Sequence, residues 1–142
     1  MYDYKRFQMD ILTKALVSFE TQNYFDLDIE TMDKVWDVSI KCVDNKNISK
    51  FFGRYYPSLS KIEIIPHMFK GNLIAYRDTV RHELAHHITD ILYPNVTDHH
   101  GKEWRSICHL LDCCDKRGKN LEHFNLEWNQ SKNIAYFEGF KL

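Results

Sequence analysis

Asp78-Thr79-Val80-Arg81-His82-Glu83-Leu84-Ala85-His86 is the stretch whose reading decides the fold. Residues four apart on a helix lie one above the other, so His82 and His86 can present imidazole nitrogens to one ion. Glu83 follows the first histidine by one residue, about 100° round the axis, where its carboxylate can serve a water at that ion without being a ligand. The pattern needs a helix, and the flanks supply one. Leu73, Tyr76, Val80, Leu84, Ile88 and Ile91 recur at spacings of three and four. Asn72 is placed to cap the N-terminus and Pro94 follows soon after Leu92, which predicts a helix over 73–92. Two histidines, a carboxylate base and a third ligand from elsewhere are the working parts of a zinc peptidase.

The third ligand has several candidates. In the pattern HExxHxxGxxH the glycine and the last histidine would fall at 89 and 92, where this chain has Thr89 and Leu92, so that class is excluded. A glutamate from the next helix would have to be Glu103, and His99, His100 and His109 compete with it. His100 is favoured. It precedes Gly101, whose backbone is free to turn, and stands at the mouth of a second helix predicted over 101–112. That helix carries Trp104, Ile107, Cys108 and Leu111 on one stripe. His99 is the second choice, and His109 lies too far along the helix to meet the metal.

Together, Asp78 to His86 and, after thirteen intervening residues, His100-Gly101-Lys102-Glu103-Trp104 resemble the SprT-like metallopeptidase domain, whose pattern is HExxH followed by HGxxF or HGxxW. Phe52-Gly53-Arg54-Tyr55-Tyr56 and Lys61-Ile62-Glu63-Ile64-Ile65-Pro66 are similar to the glycine-containing hairpin that precedes the active helix in that family. The resemblance covers roughly residues 5–115. It implies a minimal zincin-like α+β fold, His82, His86 and His100 as zinc ligands, and Glu83 as catalytic acid/base. It also implies proteolysis, in Spartan-type members of proteins crosslinked to DNA. One departure is plain: Cys42, Cys108, Cys113 and Cys114 include no CxxC pair, so the C-terminal zinc ribbon of many bacterial members has no counterpart and a second structural zinc is not expected.

With 142 residues, 44% of them hydrophobic and 14% aromatic, the chain suits one domain with a sizeable core. The expected layout over residues 1–142 is an N-terminal helix, a small three-stranded sheet, two helices and a tail. Phe7, Ile11, Leu12, Ala15, Leu16 and Phe19 mark the first helix, over 3–22. Val38, Ile40 and Cys42 alternate with polar residues in a strand closed by Asp44-Asn45-Lys46-Asn47. Phe51 to Tyr56 and Lys61 to Ile65 form a hairpin around Pro57-Ser58-Leu59-Ser60, and that hairpin should supply a sheet edge for an extended peptide. In the tail, 116–142, Phe124, Trp128, Tyr136, Phe137 and Phe140 predict packing on the core.

Composition narrows the function classes. Cysteines without a scaffold spacing point to reduced thiols and the cytoplasm, and neither a signal peptide nor a membrane span is expected. A net charge of −1 argues against a general nucleic-acid binder. The charge is uneven, however: residues 41–81 hold eight basic residues against three acidic ones, a local +5, while residues 1–40 carry a local −4. Lys46, Lys50, Arg54 and Lys61 are therefore candidates for a weak contact with single-stranded DNA, with Phe51, Phe52, Tyr55 and Tyr56 as candidate stacking surfaces. The expected protein is a monomeric zinc endopeptidase acting on protein or peptide substrates, including DNA-associated ones. Two competitors are a metal-binding regulatory module without proteolysis and a DNA-binding adaptor; the intact Glu83 and the weak charge balance count against them respectively. For stabilising the oxyanion the sequence offers Tyr93, His87 and His99.

Overall fold

A computed structural model describes residues 4–43, 52–69 and 71–116. Helix α1 (Tyr4–Gln22) buries the predicted stripe from Phe7 to Phe19. It packs against helix α3 (Leu73–Leu92) and strand β1 (Ser39–Cys42), so the N-terminal helix closes one side of the core. Between α1 and β1 lies a helix that periodicity had not indicated, α2 (Ile29–Trp36). Its cap is Asp28, whose carboxylate accepts the Thr31 N–H at 2.7 Å. Only Met32 and Val35 face inward, which leaves too little apolar pattern to announce a helix.

The sheet has three strands in the order β1-β3-β2. β1 runs parallel to β3 (Lys61–Ile64), and β2 (Gly53–Tyr56) runs antiparallel to it. The expected hairpin is present, but only β2 lies at an edge; β3 is central. Pairing puts Ile62 and Ile64 on the buried face, opposite Tyr55 and Gly53, while Lys61, Glu63, Arg54 and Tyr56 share the outward face. Gly53 is needed for space. A Cβ there would sit 2.8 Å from Ile64 Cδ1 and 3.1 Å from Thr79 Cγ2, so only glycine lets β2 lie this close to α3.

Helix α3 begins where the sequence placed it: the Asn72 side chain accepts the Ala75 N–H at 3.0 Å. Tyr76, Val80, Leu84 and Ile88 are buried along its length. Helix α4 (Lys102–Leu110) returns along α3 and buries Trp104, Ile107 and Cys108, with Leu111 just beyond its end. Polar ties hold its far end down. The Arg81 guanidinium donates to the Leu111 carbonyl at 2.5 Å, Arg77 pairs with Asp112 at 3.3 Å, and the Cys114 N–H donates to Asp78 at 2.7 Å. The strand-closing turn 44–47, Phe51, and the aromatic tail from 117 onward lie outside the described residues. None of the four cysteines is in a disulfide, and among the described residues no helix is long and apolar enough to cross a membrane.

Candidate metal centre

On α3, His82 and His86 fall one turn apart, with ring centroids 5.1 Å from each other. The α3–α4 connection delivers His100 to the same point, its centroid 4.9 Å from His86 and 5.9 Å from His82. Asp98 shapes this approach: its carboxylate accepts the His100 N–H at 3.1 Å, and its carbonyl accepts the Gly101 N–H at 3.1 Å. The sequence suggested that Gly101 frees the backbone to turn. Its φ of −78° is open to any residue, and the requirement is space instead, since a Cβ would lie 3.2 Å from the Asp98 carbonyl oxygen. One ligand atom from each of the three histidines lies within 4.8 Å of the others. That is within reach of a tetrahedral ion, whose ligand nitrogens at about 2.0–2.1 Å sit roughly 3.4 Å apart.

Trp104 forms the floor of the cluster. Its ring, fully buried, stacks on His86 at 5.2 Å with an interplanar angle of 16°. It also meets His82 and His100 edge-on, each at 4.8 Å. Read in the sequence as an apolar stripe position and as the tryptophan of the HGxxW pattern, Trp104 packs its ring against all three imidazoles.

Glu83 is buried, and its carboxylate lies 3.9 Å from His82 Nε2. It is beside the histidines without belonging to the ligand cluster. Helical spacing aligns it with Thr79 and His87, one turn before and one turn after. A Cβ on Gly53 would meet Thr79 Cγ2 at 3.1 Å, and His87 meets Tyr55, so Glu83 occupies the side of α3 that β2 lies along.

Of the other candidates, His99 is exposed, Glu103 is half-buried, and His109 is exposed and bonded to Asp115 at 2.8 Å; none joins the cluster. His87 cannot serve as an oxyanion donor. Both of its ring nitrogens are engaged, Nδ1 with the Tyr55 hydroxyl at 2.9 Å and Nε2 with the Val35 and Lys34 carbonyls at 3.0 and 3.2 Å. Tyr93 packs its ring edge-on to Phe25, 6.4 Å away. Among the proposed DNA-contact residues, Arg54 and Lys61 sit on the outward face of the sheet, while Lys46 and Lys50 lie outside the described residues.

A model of the family described as SprT-like matches residues 21–126, most of the chain and both halves of the histidine cluster. The chain belongs to the SprT-like family. Helix α1 falls almost wholly outside the matched range, yet it supplies a buried face to this SprT-like core. Searches of curated proteins and of solved structures gave no match.

Proposed function

We propose that this SprT-like protein is a zinc-dependent metalloendopeptidase, and the observation that carries the proposal is the convergence of His82, His86 and His100 beside a buried carboxylate that is not one of them. The donor set fits zinc. Three imidazoles with no thiolate or carboxylate among them suit Zn²⁺ and leave a fourth position for water or substrate. When bound, the ion supplies a Lewis acid and brings the pKa of a water towards about 7. Glu83 then handles protons: its carboxylate accepts one from the attacking water and returns it to the departing amine nitrogen.

Among the described residues no strand pairs with the outer edge of β2, and that edge suits an extended substrate. The Ile65 N–H donates to the Phe52 carbonyl at 2.9 Å, which fixes the alternation of the β2–β3 ladder. Arg54 and Tyr56 turn their backbone groups toward β3, so those of Gly53 and Tyr55 point outward, available to a further strand. We further propose that substrates include proteins held on DNA, supported by Arg54, Lys61 and Lys41 on the outward sheet face and by Lys46 and Lys50 in sequence. The deciding experiment is metal analysis of the purified protein together with peptide cleavage by wild type and Glu83→Gln. One zinc per chain with cleavage confined to wild type is expected. Zinc without cleavage in wild type would leave a metal-binding module.

A further inference from the structure

We infer that Tyr55 and His87 are positioning residues that fix the edge strand β2 on the metal helix, and so set where an extended peptide lies relative to the three histidines. The inference rests on the peptidase reading above. His87 is 1% exposed and one residue beyond His86, yet it points away from the histidine cluster. Its Nε2 faces two carbonyl oxygens, Val35 at 3.0 Å and Lys34 at 3.2 Å, both in α2. Carbonyls only accept, so Nε2 carries the hydrogen and Nδ1 of the neutral ring is bare. The Tyr55 hydroxyl, 2.9 Å away, donates to that nitrogen. One partly buried relay thus joins strand β2, helix α3 and the last turn of α2.

The placement gives the relay its consequence. Tyr55, like Gly53, turns its backbone N–H and C=O to the outer edge of β2, while its side chain is held from beneath by α3. Gly53, two residues earlier, has no side chain with which to bond α3, and a Cβ there would already crowd Thr79 Cγ2 at 3.1 Å. The hydroxyl of Tyr55 therefore gives β2 a directional anchor to the helix that carries His82, Glu83 and His86. Any drift of β2 would move the peptide and leave the metal ligands where they are, since those are braced separately by Trp104 and α4.

The test uses the full zinc-loaded chain and a fluorogenic peptide of about ten residues, long enough to pair along an edge strand. Tyr55→Phe removes one oxygen and should bind as much zinc as wild type. Its KM should rise about tenfold while kcat changes by less than about twofold, the signature of a lost directional bond that holds the binding surface. His87→Gln, which can still donate to the α2 carbonyls, should show a smaller KM effect than His87→Leu. In the Glu83→Gln background the affinity for the same peptide, measured by anisotropy, should weaken in parallel when Tyr55→Phe is added. An unchanged KM and affinity in Tyr55→Phe would overturn the inference, as would a fall in kcat and zinc content together, which marks general loss of structure. Should Tyr55→Phe fail to fold, the two His87 variants carry the same comparison. If wild type cleaves nothing, the peptidase reading fails, while peptide affinity in the Glu83→Gln background still decides the anchoring role; absence of peptide binding there overturns it.

Discussion

Glu83 and His86 stand three residues apart on one helix, yet replacing them should separate turnover from metal binding. The Glu83 carboxylate lies beside His82 and outside the cluster of ligand atoms, so Glu83→Gln should keep its zinc and its fold. Loss of a general base lowers cleavage by about 10²–10⁴-fold. His86→Ala removes a ligand and should lower zinc content, read by elemental analysis beside a peptide assay. Equal loss of zinc in both variants would contradict this division of roles. His87, the next residue, should instead govern part of the pH dependence of stability. Burial holds its pKa below the usual 6.5, with hydrogen bonds to Val35 and Lys34 opposing the shift. Because the folded value is depressed, the unfolded chain takes up a proton first as pH falls below 6.5. Stability present above that pH is then lost on the way down to the folded value. Urea unfolding of zinc-free protein at pH 7.5 and 5.5 should show a steeper loss for wild type than for His87→Gln. Parallel losses would mean that other histidines carry the effect.

Long helices with one apolar face were legible from the chain alone. α1, α3 and α4 each repeat buried residues at three and four, and the Asn72 cap sits where the sequence put it. That cap gives an element-scale prediction: Asn72→Ala removes the side-chain acceptor for the Ala75 N–H and should cost about 1 kcal/mol, lowering the midpoint of thermal unfolding by roughly 2–5 °C. A midpoint within 1 °C of wild type, on the same scale, would show that α3 is held by packing alone. Shorter or longer-range features left weaker traces. α2 has two inward residues in eight, set among acidic ones, so its period is too brief to read. The parallel pairing of β1 with β3 joins segments some twenty residues apart, and local pattern carries no register information over that distance. Half of the histidine cluster was legible because helical spacing alone brings His82 onto His86. His100 needed the choice among neighbours that the loop geometry at Asp98 now explains. The Tyr55–His87 relay was not legible at all, since its members come from three elements and meet only after folding.

The +5 carried by residues 41–81 is divided in the folded molecule, and the division sets what it can do for a nucleic acid. Arg77 and Arg81 point to the end of α4, where burial and the neighbouring Arg77 push the Arg81 pKa down to about 10. Both are committed to holding that helix. What faces outward on the sheet is Arg54 and Lys61, with Lys41, around the single acid Glu63. Hydrogen bonding from Tyr56, and then Lys61, holds the Glu63 carboxyl below its usual range, so it stays ionised and offsets part of the positive charge. The stacking surfaces suggested by the sequence are also mostly occupied. Phe52 packs on Phe69 at 5.2 Å, and Tyr55 is bonded to His87. Arg54 and Lys61 lie over the Tyr56 ring at 6.0 and 5.3 Å, so its face already serves two cations. Contact with single-stranded DNA should accordingly run on charge and not on stacking. Neutralising Lys46, Lys50, Arg54 and Lys61 together should abolish binding of a labelled oligonucleotide at low salt, whereas Tyr56→Leu should leave most of it. With about four phosphate contacts and a single-strand slope near −0.7 per contact, log K should fall against log salt with a slope of about −3. Anisotropy titrations at three salt concentrations measure all of this. Binding that persists in the quadruple variant, or that ignores salt, would place any DNA contact elsewhere on the molecule.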